Sequence, residues 1–169
     1  IGIGSNLGNR RYKIEKAKYF LKLNGINIIK SSGHYETLSW PDPSKPKFIN
    51  IVIEVSTSLK PIDLMKILLK IEQDLERERK NKNDPRTCDI DIIDYKNESM
   101  NLKLEELQLK IPHVSMKERD FVLLPLKEIC PYWSHPLTKE PIDHLINNLK
   151  GKNNNITKLS QSDIINYVE

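Results

Sequence analysis

The chain has 169 residues, 38% hydrophobic and 30% charged, and its 27 basic and 23 acidic side chains give a formal net charge of +4. That length fits one domain able to bury its own core, and the composition excludes a disordered tail, a collagen-like fibre and a low-complexity array. The longest apolar run, Phe121–Leu124, falls far short of the roughly 20 residues of a membrane span, and so mild a positive balance does not call for nucleic acid.

In chain order, Ile1-Gly2-Ile3 reads as the end of a strand. No initiating Met and no charged-then-apolar signal is present, so a few preceding residues are expected to be missing. Gly4–Asn9 forms a turn, and a helix follows to about Leu23 with Ile14, Ala17 and Leu21 on one face, stopped by Asn24-Gly25. Ile26–Ser32 is a strand. Leu38–Lys47, with Pro41, Pro43 and Pro46, is an exposed loop.

Phe48–Ser56 alternates as a strand, with Ile49, Ile51, Ile53 and Val55 on one face and Phe48, Asn50, Val52 and Glu54 on the other. Pro61 opens a helix to about Arg79, whose stripe of Leu64, Met65, Leu68, Leu69 and Leu75 is interrupted by Glu72. Lys80–Asp84 is a polar loop and Thr87–Tyr95 a strand. A short strand near Phe121–Leu126 and a helix near Ile142–Leu149 complete a domain over residues 1–150. Gly151–Asn155 is a joint to a tail, residues 151–169, that the pattern does not place. Strands and helices do not alternate as βαβ units, which favours an α+β fold with an antiparallel or mixed sheet and helices on its faces.

Cys88 and Cys130 show no CxxC or Cys/His spacing, which fits reduced cytosolic thiols rather than a disulfide scaffold or zinc ribbon. The sharpest chemical feature is Asp89-Ile90-Asp91-Ile92. On a strand Asp89 and Asp91 share a face about 7 Å apart, while Ile90 and Ile92 turn to the buried side. Paired carboxylates on a strand are unfavourable unless a hard cation such as Mg²⁺ neutralises them, although a solvated face carrying two ordinary acids is the other reading. Arg77, Arg79, Lys80, Lys82 and Arg86 all precede the acids within residues 77–86. Cations for free phosphate oxygens beside carboxylates for a metal suit a magnesium-bound polyphosphate; a solvated helix end would carry the same charges.

No GxxxxGK[ST] and no kinase HRD or DFG element occurs, and the glycines at positions 2, 4 and 8 miss dinucleotide-binding spacing. Glu72 is either a half-buried acid satisfied by Arg79 or a ligand for a base or ribose. His113 and Arg119 make a second phosphate contact reasonable. Phe48 offers a stacking surface and Asn50 an amide edge for a heterocycle, although by themselves the two also read as a core aromatic and a satisfied amide.

Gly4-Ser5-Asn6-Leu7-Gly8, Tyr35-Glu36-Thr37, Phe48-Ile49-Asn50, Pro85-Arg86-Thr87-Cys88-Asp89-Ile90-Asp91-Ile92, Pro112-His113 and Arg119-Asp120-Phe121-Val122-Leu123 follow one another in a recognisable order and spacing. Over residues 1 to about 137 the chain resembles the 6-hydroxymethyl-7,8-dihydropterin pyrophosphokinases of folate biosynthesis. The resemblance implies a ferredoxin-like, three-layer α/β/α fold with a mixed, mostly antiparallel sheet. It also implies transfer of pyrophosphate from ATP to the pterin hydroxymethyl group with release of AMP.

By that resemblance Asp89 and Asp91 hold two Mg²⁺ ions, and Arg77 and Arg86 stabilise the transferring group. Glu72, Arg79, Ile92, His113 and Arg119 line the nucleotide site, and Thr37, Phe48, Asn50 and Phe121 bind the reduced pterin. Leu38–Lys47 and Lys80–Asp84 would be loops that close over the site. Asn83-Asp84 stand where the family often has Arg-Trp. The expected enzyme is a cytoplasmic monomer acting on small molecules, with no nucleic-acid or membrane partner. The competing reading is a non-enzymatic module holding ATP or RNA through the cationic loop.

Overall fold

A computed structural model describes residues 1–39, 42–75, 87–149 and 155–160. Its elements are β1 (Gly2–Ser5), α1 (Arg10–Leu23), β2 (Asn27–Ser31), β3 (Tyr35–Thr37), β4 (Phe48–Ser56), α2 (Pro61–Asp74), β5 (Asp89–Asp91), β6 (Met100–Leu104), β7 (Leu107–Ile111), α3 (Asp120–Ile129), α4 (Ile142–Asn147) and β8 (Thr157–Lys158). The main sheet runs β5-β1-β4-β3-β8, with β2 also on β4. Every strand pairing among the described residues is antiparallel.

β4 organises the sheet because its alternation serves two cores. Ile49, Ile51 and Ile53 join Ile3 and Ile90 beneath Ile14, Ala17, Leu21, Leu64, Leu68 and Ile71 of α1 and α2. Val52 faces the other way, packing with Ile93, Val122, Leu123 and Leu126 beneath α3 and α4. The result is helices, sheet, helices. β2 and β3 run along the same edge of β4, β2 opposite Ile53–Ser56 and β3 opposite Phe48–Asn50. Between them Ser32 bridges the gap, its N–H donating to the Val52 carbonyl and its Oγ accepting from the Val52 N–H.

Several expectations change. β1 extends through Gly4 and Ser5, which are strand rather than turn. Phe121–Leu126 is not a strand: it lies inside α3, where Val122, Leu123, Leu126 and Ile129 repeat with helical spacing on the buried side. The β-rich Phe-Val-Leu-Leu run and an internal Pro125 hide that period, since proline supplies no N–H to the Phe121 carbonyl. The expected Thr87–Tyr95 strand shortens to β5, and left-handed Lys96 and Asn97 turn the chain toward a hairpin, β6–β7, that the sequence reading leaves unassigned.

α2 ends at Asp74 with Leu75 as its cap, short of the expected Arg79; residues 76–86, with the Lys80–Asp84 loop, lie outside the described residues. On α2 the fully buried Ile71 takes a core place that the expected stripe omits, while Met65 and Leu69 are only partly covered. The described part of the proline-rich segment is an irregular loop exposed at Pro43, Ser44, Pro46 and Lys47, as expected, but it is tied down: Ser39 is buried, Asn6 Nδ2 donates to the Pro46 carbonyl at 3.1 Å, and Arg10 Nη1 donates to the Lys47 carbonyl at 2.8 Å. The tail contributes β8, paired with β3. Among the described residues no helix is long and apolar enough to cross a membrane. Cys88 and Cys130 are free thiols.

Candidate active site

Three strands place the chemistry. Gly4 pairs with Asp89 on one side and with Asn50 on the other, so Asp89, Gly4 and Asn50 form one cross-strand row with Tyr35 next beyond Asn50. Paired residues share a face, so this row faces the α3 side of the sheet together with Asp91, Phe48 and Thr37. Two strand spacings put the Asp89 and Asn50 backbones about 10 Å apart, with only a glycine between them. A carboxylate pair at one end and an amide with an aromatic ring at the other therefore share this face with no intervening side chain from β1, and Asn50 and Phe48 close over Gly4.

Asp89 and Asp91 project together from β5, half-buried, while Ile90 and Ile92 go to the core as expected. Ile92 as a whole residue is 2% exposed and packs in the core beneath α1 and α2, so the structure does not bring it to the open face that Asp89 and Asp91 share. Among the described residues β5 is an edge strand, and its outward Ile90 N–H donates to Glu72 Oε1 at 2.7 Å. Glu72 is not half-buried but 2% exposed, and one role is thus fixed: it anchors the strand between the two aspartates. Glu72→Ala leaves that N–H unsatisfied beside a cavity, an expected loss of about 3 kcal/mol. A urea unfolding curve with an unshifted midpoint would contradict this.

His113 follows the cis Ile111–Pro112 bond and is fixed by two backbone contacts, its N–H donating to the Ile93 carbonyl and its Nδ1 accepting from the Ser115 N–H at 3.2 Å. The neutral ring therefore carries its proton on Nε2, 4.0 Å from Asp91 Oδ2. Burial pushes the ring below its ordinary 6.5 against the pull of Asp91 and Asp89, and Arg119 pushes the same way as burial. His113 can thus donate a hydrogen bond from Nε2 at neutral pH. Arg119 caps α3, with Nη1 4.0 Å from the same Asp91 oxygen and its guanidinium 5.7 Å from the Phe121 ring centre.

At the other end Asn50 Nδ2 donates to Thr37 Oγ1 at 3.1 Å, and both residues are buried. This bond leaves the Asn50 carbonyl oxygen leaning over Gly4, where a Cβ would stand only 2.7 Å from it. Phe48 lies in register with Thr37, and Phe121 sits in the first turn of α3. The structure therefore brings together Asp89, Asp91, His113 and Arg119, and separately Thr37, Phe48 and Asn50. Arg77, Arg79 and Arg86 lie outside the described residues. Gly4 and Ser115 are additions; only the spacing of Gly4 from the Asn50 strand, invisible locally, could have marked it.

The donor set fits a hard divalent cation. Both aspartates offer oxygen and share one face, and His113 and Arg119 stand 4.0 Å from Asp91 Oδ2, beyond hydrogen-bond distance. Among the described residues no group of three or more His, Cys, Asp or Glu side chains could hold a metal. Two carboxylates alone suit an ion that takes its other ligands from water and phosphate oxygens.

Residues 1–131 match the sequence model of the family described as 7,8-dihydro-6-hydroxymethylpterin-pyrophosphokinase (HPPK). The chain belongs to the HPPK family. It is 36% identical over 146 residues to the 2-amino-4-hydroxy-6-hydroxymethyldihydropteridine pyrophosphokinase of Aquifex aeolicus, covering 84% of this chain and 86% of that one. The Bacillus subtilis protein of the same name is 37% identical over 131 residues, covering 77% of this chain and 76% of the relative.

The HPPK match also extends to part of a longer relative: the Dictyostelium discoideum folic acid synthesis protein FOL1 is 40% identical over 137 residues, which is 80% of this chain but 20% of that protein. Among solved structures, an HPPK-DHPS in complex with substrates superposes with a TM-score of 0.71 at 20% identity, covering 94% of this chain and 46% of the other. A Plasmodium falciparum HPPK-DHPS gives 0.68 at 16%, covering 89% and 43%. This chain thus spans less than half of either crystallised protein. These neighbours bear out the ferredoxin-like α/β architecture.

Proposed function

We propose that this chain is an ATP-dependent pyrophosphokinase of folate synthesis that acts on 6-hydroxymethyl-7,8-dihydropterin, a cytoplasmic monomer with its activity in residues 1–150. The observation that supports the reading is the single row Asp89–Gly4–Asn50, in which a carboxylate and an amide lie about two strand spacings apart on one face of the sheet. The hydroxymethyl oxygen attacks the β-phosphorus of ATP, the bond from that phosphorus to the oxygen bridging to the α-phosphorus breaks, and AMP departs with that oxygen. The hydroxyl proton passes to solvent. Positioning and electrostatics dominate such transfers, so no strong general base is required.

Asp89 and Asp91 are the ligands for Mg²⁺, two ions in this reading, whose charge would offset that accumulating on the triphosphate. Arg119 and His113 flank Asp91 and supply donors to phosphate oxygens, His113 from the Nε2 that its Ser115 contact keeps protonated. Arg77 and Arg86 are assigned to the transferring group and Arg79 to the nucleotide side, while the buried Glu72 and Ile92 serve that side by holding β5 in place rather than by touching the nucleotide. Asn50, oriented by Thr37, presents its amide to the pterin edge, with Phe48 and Phe121 as stacking partners. No nucleic-acid or membrane partner enters the scheme.

Purified protein with ATP, Mg²⁺ and the reduced pterin should form AMP, one per pterin pyrophosphate, and none without pterin. ADP as the product would overturn the assignment, and ATP held without any turnover would favour the binding module.

A further inference from the structure

β3 is only three residues long yet carries Thr37, which sets the Asn50 amide. One of its edges pairs with β4. The other is covered by the chain's own tail: Tyr35 pairs with Lys158 and Glu36 with Thr157, and the Leu159 N–H donates to the His34 carbonyl at 2.8 Å. Leu159 also packs against the main core. This segment lies beyond residue 131, where the family match ends.

A single carboxylate on α3 ties the arrangement together. Glu128 Oε2 accepts from the Tyr35 hydroxyl at 2.7 Å, while Oε1 accepts from the Gly33 N–H at 3.1 Å and lies 3.0 Å from Lys158 Nζ. Burial pushes the Glu128 carboxyl up, but the hydrogen bonds from Tyr35, Lys158 and Gly33 outweigh it and hold it below its usual value. Lys158 Nζ also stands 5.9 Å from the Tyr35 ring centre, and Gly33 leaves the room that the lysine stem occupies, since a Cβ there would meet Lys158 Cε at 2.8 Å. Three donors, from the approach to β3, from β3 itself and from β8, converge on the helix whose first turn bears Phe121.

We infer that β8 is a positioning strap for the pterin side of the site, with Lys158 and Glu128 as positioning residues that hold β3, and through Tyr35 the Thr37–Asn50 pair, against α3. The inference rests on the pterin reading above. β8 lies at the opposite end of the sheet from β5, with three strands between it and Asp89 and Asp91, so loosening it acts on pterin recognition and spares the nucleotide.

Two truncations separate the strap from the rest of the tail: one after Asn154 removes β8, and one after Ser160 keeps it. Loss of β8 should raise the pterin KM about tenfold with the ATP KM within about twofold, the size of effect that goes with losing one charge-assisted anchor. Truncation after Ser160 should match the full chain. Lys158→Ala should give part of the rise, and Lys158→Arg should restore it.

Hydrogen exchange of the Tyr35–Thr37 amides, read without any substrate, should quicken in the Asn154 truncation and in Lys158→Ala. Unchanged exchange there overturns the strap even in a chain that proves inactive on pterin. A pterin KM that stays level in both variants, or that rises in step with the ATP KM as stability falls, also overturns it.

Discussion

Asp91→Asn is expected to cut turnover by about three orders of magnitude while the fold survives, because a neutral amide cannot replace a metal-binding carboxylate. The argument starts from the strand. Asp89 and Asp91 share one face of β5, and the strand itself is held by Glu72 from behind and by β1 alongside, neither of which depends on the Asp91 charge. Replacing one carboxylate relieves repulsion between the pair. The same change removes the counter-charge 4.0 Å from His113 and Arg119, but Asp91 is 34% exposed and solvent screens that loss. Asp89→Asn should behave alike. Thermal unfolding and steady-state kinetics over a Mg²⁺ series check both, and a variant that turns over normally would remove the metal from the account.

Gly4→Ala is expected to raise the pterin KM between about tenfold and a hundredfold, the equivalent of about 1–3 kcal/mol of overpacking. Its methyl group would lie 2.7 Å from Asn50 Oδ1, an oxygen on a buried side chain already bonded to Thr37. To make room the amide must rotate or the β1–β4 spacing must open, and either change spoils the edge offered to a heterocycle. Gly8→Ala is the control: its left-handed φ of +68° strains the backbone, but no atom lies within 4 Å of the added carbon, so stability falls while pterin recognition holds. Equal pterin KM values for Gly4→Ala and the natural chain would show that Asn50 does not read the pterin.

Whether a feature could be read from the sequence followed how local its cause is. The alternation of β4 is written in consecutive residues, and the two cores obey it. The aspartate pair was legible for the same reason, since i and i+2 on a strand need no partner to share a face. α3 was misread because Phe-Val-Leu-Leu favours strand locally, while its helical form is decided by Val52 and Ile93 packing against it from elsewhere in the chain. The β6–β7 hairpin escaped because its strands are largely exposed and joined through Glu105 and Glu106, with Glu105 in a left-handed conformation no glycine announces.

Glu72 stood out as an acid on an apolar stripe, but its partner, the Ile90 N–H, became visible only once β5 lay beside α2. Gly4 and Glu128 follow the same rule. Each matters for a contact across the sheet or across a layer, and nothing near it in sequence records that contact.

The most direct test of the central claim is a crystal structure of the protein with Mg²⁺ and an ATP analogue whose α,β bridge is a methylene group. The account predicts magnesium ligated by both Asp89 and Asp91, with the β-phosphorus turned toward the Asn50 end of the Gly4 row. A triphosphate bound away from β5, or magnesium that neither aspartate touches, would contradict it.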